Sequence, residues 1–170
     1  LGEYIYGWGV QECHKEWQQI ISENRRSVIY APVEHGKSFQ LSIVRPLWEI
    51  GTDPNVTGAI ISDTARQAEK FLAVIKQTLK HNRRYQAVFP WVTEETRAGR
   101  TKQWHNEAII IERSDLTVKD PTVQALGVQG ALLGARLSFA VLDDVLNFEN
   151  TLTETARQKT LSWYQSTVTG

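Results

Sequence analysis

An α/β fold, with a mostly parallel sheet covered by helices on both faces, is the class this sequence predicts. Two observations carry that expectation. Short apolar stretches alternate along the chain with helical patterns, the rhythm of parallel strands joined by crossover helices. The strands themselves, "AIIS" and "FAVLDD", hold few polar residues, as strands buried on both sides do. A chain of 170 residues is long enough for one well-cored domain and short for two.

Taken in order, "CHKEWQQIISENRR" puts Trp17, Ile20 and Ile21 on one side of a helix. "SVIY" reads as a short β-branched and aromatic strand. In "KSFQLSIVRPLWEI", Phe39, Ile43, Leu47 and Ile50 fall at helical spacing, with Pro46 expected to kink or shorten the helix. "GTDPNVTG" is turn chemistry, and "AIIS" at 59–62 is the next strand. The helix that follows carries one apolar stripe of Ala65, Ala68, Phe71, Leu72, Ile75 and Leu79, with Asp63 as its expected N-cap. "RRYQAVFPWVTEETRAGRTKQW" has no sustained period and reads as loops with short pieces. "EAIIIER" and "TVQALGV" read as strands, and a buried strand follows at 139–142. A capping box of Thr151 with Glu154 opens the last helix.

Composition narrows the function classes. With 41% hydrophobic and 22% charged residues the chain is not of disordered type. Nineteen basic residues balance nineteen acidic ones, so there is no global pull toward nucleic acid, although a local patch would suffice. Cys13 is the single cysteine, which excludes an internal disulfide and favours a reducing compartment. No apolar run has the length of a membrane span. The chain opens on Leu1 and holds no methionine, which reads as a piece of a longer protein.

The stretch "VIYAPVEHGKSFQL" carries the chemistry. Gly36, Lys37 and Ser38 match the end of G-x-x-x-x-G-K-[ST], with Ala31 where the first glycine is expected. A strand is expected before it and a helix after it. Such a loop surrounds a β-phosphate with backbone N–H groups and the positive end of the helix. Lys37 would reach the β- and γ-phosphates, and Ser38 would ligate magnesium. The bland alternative is a solvated turn with a surface lysine. Downstream, "LSFAVLDD" supplies an apolar strand ending in Asp143, placed to hold the magnesium shell, and Asp144, placed to orient water. A polar strand end running into a loop is the plain alternative there. Together the two stretches read as a nucleoside triphosphatase.

With "VIYAPVEHGKS", "IISDTARQAEKF", "IKQTLKHNRRYQAVFP", "KDPTVQALGVQGALLGARLSFAVLDD" and "TETARQKTLSWYQS" in view, the chain resembles the N-terminal ATPase domain of the terminase large subunit of tailed bacteriophages. The resemblance covers nearly the whole chain. It implies an ASCE-type P-loop NTPase across residues 1–170, with a helical lead-in at 1–27 and a core at 28–170 that is incomplete at its C-terminal end. It implies ATP and Mg2+, bound along Ala31, Pro32, Val33, Glu34, His35, Gly36, Lys37 and Ser38, with Asp143 as Walker B aspartate and Asp144 as catalytic carboxylate. Arg136 falls where relatives place a basic residue and is a candidate finger toward a neighbouring subunit's γ-phosphate. A structural role at the turn before the strand is its other reading. Trp17 and Gln18 stand where relatives contact the adenine, although Trp17 reads equally as core. Two departures are plain: Val33 stands where relatives often carry an arginine, and the chain stops before a further coupling motif.

The implied partners are double-stranded DNA, other copies of the subunit in a ring, a portal protein and a small terminase subunit, with no membrane. The implied place is the host cytoplasm, docked transiently on a procapsid. For DNA, the basic residues Arg66, Lys70, Lys76, Lys80, Arg83 and Arg84 form one candidate face, and Arg97, Arg100 and Lys102 a candidate loop. A solvated helix face is the commoner meaning of the first. His14, His35, His81 and His105 have no zinc spacing; His35 either contacts a phosphate or packs the loop. Trp48 and Trp104 read as packing. A helicase-like DNA translocase and a non-hydrolysing nucleotide-binding or structural module stand as rival readings.

Overall fold

The computed structural model of the chain describes residues 1–93, 104–128, 130 and 135–168. A four-stranded sheet forms its centre, in the order β2-β3-β1-β4. Strands β1 (Gly58–Ser62), β3 (Val123–Gly127) and β4 (Phe139–Asp143) are parallel, and the two-residue β2 (Ala108–Ile109) joins antiparallel at one edge. Ser62, Gly127 and Asp143 are in register, so the carboxyl ends of the parallel strands share one rim.

Strand β1 is central because it can be: each of its five residues is small or branched and buried. Its side chains alternate between two cores, as a strand's must. Ile60 enters the larger core with Ala68, Leu72, Ile75 and Leu79 of helix α5 (Ala65–His81). Ala59 and Ile61 enter a smaller core on the other face, with Leu126, Leu142, Val145 and Trp163. Helices thus lie on both faces, α8 (Glu154–Trp163) supplying Trp163 to the second. The mostly parallel α/β expectation is met at that level.

Several local expectations need correction. The segment "SVIY" is not a strand, since nothing among the described residues pairs with it. Val28 and Tyr30 are 77% and 93% exposed. Its composition suits a pleated, half-buried surface, but a strand exists only where a neighbour completes the ladder. The cap of α5 is Thr64, whose side chain accepts from the N–H of Gln67; Asp63 instead takes the amide of Asn147. The last helical stretch is two helices, α7 (Phe148–Thr151) and α8, with Thr153 rather than Thr151 capping the second. Thr151 donates its hydroxyl back to the Asn147 carbonyl. "EAIIIER" shrinks to the two residues of β2, and helix α6 (Arg83–Val88) lies in the stretch expected to be mainly loop.

Pro46 does not end its helix. Helix α3 (Lys37–Phe39) runs through a π-turn (Gln40–Val44) into α4 (Arg45–Thr52). Proline offers no N–H and its ring crowds the carbonyl four residues back, so the register widens just before it. The N–H of Arg45 accordingly reaches the carbonyl of Gln40. Phe39 packs against the larger core, and Ile43, Leu47 and Ile50 are buried within it, as their spacing predicts. At the N-terminal start of α5, Gly127 lets β3 approach closely: a Cβ there would stand 2.8 Å from the Ala65 nitrogen. Among the described residues no helix is long and apolar enough to cross a membrane.

Candidate functional site

The loop before α3 is held from the side by α2 (Glu12–Glu23), which follows the short first helix α1 (Gly2–Tyr6). The N–H of Gln11 donates to Nδ1 of buried His14, which leaves Nε2 protonated to donate to the His35 carbonyl at 2.8 Å. One imidazole thereby ties the start of α2 to the loop. Gln18 adds a second tie, its amide donating to the Gln40 carbonyl. His35 engages the Val33 carbonyl through Nδ1, so its ring packs the loop on itself. Glu34 and Gly36 both take left-handed conformations, φ 67° and 73°. Gly36 does so freely; Glu34 does so at a steric cost.

This loop delivers Lys37 as the first residue of α3 and Ser38 as the second. From the other side, β4 ends at Asp143, which is buried, and the chain then turns through Asp144 at φ 47°. The two stretches meet although 107 residues separate them. Lys37 Nζ donates to Asp144 Oδ1 at 3.0 Å and lies 4.0 Å from Asp143 Oδ1. Asp144 is open to water, so its pair with Lys37 contributes at most about 1 kcal/mol and is easily exchanged. Asp143 is 6% exposed and needs the nearby cation more.

Chemically, this places an ammonium group, a helix start with free N–H groups and two carboxylates on the rim of carboxyl strand ends. In open α/β sheets that rim is where ligands sit. The anion-favouring elements are Lys37 and the helix start; the cation-favouring elements are Asp143, Asp144 and the hydroxyl of Ser38. Oxygen donors of this kind suit a hard divalent ion such as Mg2+.

The other sequence-selected residues fall as follows. Ala31 is half-buried and Pro32, Val33, Glu34 and His35 are exposed. Trp17 is buried and packs against His14, which is the core reading. Arg136 is not brought to the cluster. It precedes β4, at the opposite end of the strand from Asp143, roughly 15 Å or more away at ordinary strand rise. Its N–H donates to Asp120 and its carbonyl accepts from Thr57, so its backbone helps pin the strand starts. On the basic face, Lys76 donates to the His105 carbonyl, Lys80 sits 4.6 Å over the Trp104 ring and Arg84 donates to the Tyr4 carbonyl. Burial, then the neighbouring Lys80, lowers the Lys76 pKa. Arg97, Arg100 and Lys102 lie outside the described residues, as does much of "GALLGAR".

Sequence reasoning passed over His14, finding no metal spacing around it. Its role is a tertiary contact across 21 residues, for which no local pattern exists. Two surface cavities of about 450 Å³ lie apart from the cluster. One is bounded by polar residues including Asp63, Asn147, Asn150 and Lys159, the other by Tyr6 and one side of α5. Neither touches Lys37, Asp143 or Asp144. Compared with protein-family models and with curated proteins, the chain matches none.

Proposed function

We propose that this chain is the ATP-hydrolysing domain of a DNA-translocating motor of the terminase large-subunit kind. The single observation that carries the nucleotide reading is the meeting of Lys37 with Asp143 and Asp144. A loop holding Gly-Lys-Ser and a distant apolar strand ending in Asp-Asp have no local reason to meet. A shared triphosphate and its ion would give them one.

In this reading the sheet is of ASCE P-loop type and ATP lies along Ala31 to Ser38. Lys37 leaves Asp144 and binds the β- and γ-phosphate oxygens. Magnesium, when held by Ser38 and Asp143, supplies charge neutralisation at those oxygens. Asp144, freed from the ammonium, accepts a hydrogen bond from water and aligns it with the γ-phosphorus. Attack forms the new P–O bond as the bond to the bridging oxygen breaks, giving ADP and phosphate. An arginine finger from a second copy would add charge to the transition state; Arg136, remote from its own chain's cluster, would serve in trans, and its structural role before β4 is the other reading.

Double-stranded DNA, a ring of like subunits, a portal and a small subunit enter through the resemblance, as does a procapsid-docked motor in the host cytoplasm. A helicase-like translocase would share all the nucleotide chemistry above. A non-hydrolysing binding module is favoured by one feature, the loop positions Val33 and Glu34, which bring no positive charge to the γ-phosphate. Magnesium-dependent phosphate release from ATP is the experiment. Lys37→Ala and Asp144→Asn should each lower the rate by about 10²–10³-fold. ATP binding without release would favour the binding module, and neither binding nor release would overturn the nucleotide reading.

A further inference from the structure

The two carboxylates of the cluster already share a cation, supplied by the protein itself. Lys37 Nζ is 3.0 Å from Asp144 and 4.0 Å from Asp143, a cation between two carboxylates. The buried Asp143 has no other ion pair among the described residues. We infer that in the nucleotide-free protein Lys37 occupies the place of the divalent ion, so that metal enters only when a polyphosphate draws the ammonium away. This regulation rests on the reading of the cluster as a nucleotide site.

The physical basis is competition between like charges. A divalent ion taking Asp143 as a ligand would sit within a few ångströms of the ammonium that lies 4.0 Å from that carboxylate. One carboxylate and a hydroxyl are a sparse set for magnesium, which ordinarily completes its shell with water and substrate phosphate. The ammonium therefore wins in the empty protein. A polyphosphate reverses the balance twice over, offering anionic oxygens to Lys37 and further ligands to the metal. Nucleotide and metal then raise each other's affinity by the same factor, as linkage requires. Lys37 would hold the empty site closed to free cations, in addition to its later role on the phosphates.

Manganese binding to the nucleotide-free chain, followed by the loss of the free Mn2+ electron paramagnetic resonance signal, tests this. Lys37→Gln is expected to bind Mn2+ about tenfold more tightly than the wild type. Adding Asp143→Asn to that variant should abolish the gain, and Lys37→Arg, which keeps a cation, should show none. Lys37→Ala, checked by circular dichroism, is the second neutral variant and should gain like Lys37→Gln. Equal Mn2+ affinity in the wild type and a folded neutral variant overturns the inference. Hydrolysis by the wild type is scored separately. A manganese gain in a chain that neither binds nor hydrolyses ATP keeps the ammonium-for-metal exchange and sinks the nucleotide reading; hydrolysis without any gain does the reverse.

Discussion

Glu34 and Asp144 are the two non-glycine residues in the left-handed region among the described positions, and they flank the same cluster. Glu34 makes its turn with an exposed side chain. Replacing it with glycine should therefore stabilise the fold by about 0.5–1 kcal/mol in urea denaturation, after the entropy cost of glycine. A loss of stability would show that the carboxylate has a structural role. His14→Ala should cost about 1–3 kcal/mol, because it leaves the buried end of the loop tie without its donor. At this scale the sequence was partly legible. Gly36, Lys37 and Ser38 can be read because a loop of that kind is a local pattern, and Asp143 and Asp144 because they punctuate an apolar strand. His14 could not, because its partner carbonyl is reached only after folding. Arg136, read as a candidate finger toward a neighbouring subunit or as a structural residue at the turn before the strand, stands at the end of β4 away from Asp143, and the sequence could not say which end.

Among the elements, α5 supplies Ala68, Leu72, Ile75 and Leu79 to the larger core, and its apolar stripe made it readable in advance. Leu72→Ala should cost about 2–5 kcal/mol, since the side chain is completely buried between α5 and the sheet. Helix α6 was illegible because a six-residue helix has too few turns to show a period; its anchor is Tyr85, whose hydroxyl donates to the Leu47 carbonyl. Burial, and secondarily Tyr6, holds the Tyr85 phenol far above its ordinary pKa near 10. The neutral form is the one the fold accepts, so its contribution is complete below about pH 10 and falls as pH rises beyond. Tyr85→Phe should flatten the alkaline decline of stability while costing about 1 kcal/mol at neutral pH. An unchanged alkaline limb would contradict the assignment. The helix caps were each misplaced by one or two residues, Asp63 for Thr64 and Thr151 for Thr153, because runs such as Asp-Thr and Thr-Leu-Thr offer several cap-forming side chains.

For the whole molecule, the described sheet ends at β4, an apolar strand paired on one side only. Val28, Tyr30 and Val33 stand 77–93% exposed, and Leu146, Phe148 and Leu152 are exposed beyond the strand. Open apolar edges and patches of this kind associate. The chain alone should bind a hydrophobic dye and self-associate on sedimentation, and Phe148→Ser with Leu146→Ser should weaken both. A strictly monomeric, dye-silent chain would contradict that. Whether Lys37, Asp143 and Asp144 gather on one triphosphate is tested most directly by a crystal structure with a non-hydrolysable ATP analogue and Mg2+. Lys37 Nζ is expected on β- or γ-phosphate oxygens, parted from Asp144, with Asp143 turned to the metal. An analogue bound elsewhere, for instance in the cavity bounded by Asp63, Asn147 and Lys159, with the Lys37–Asp144 pair intact, would contradict it.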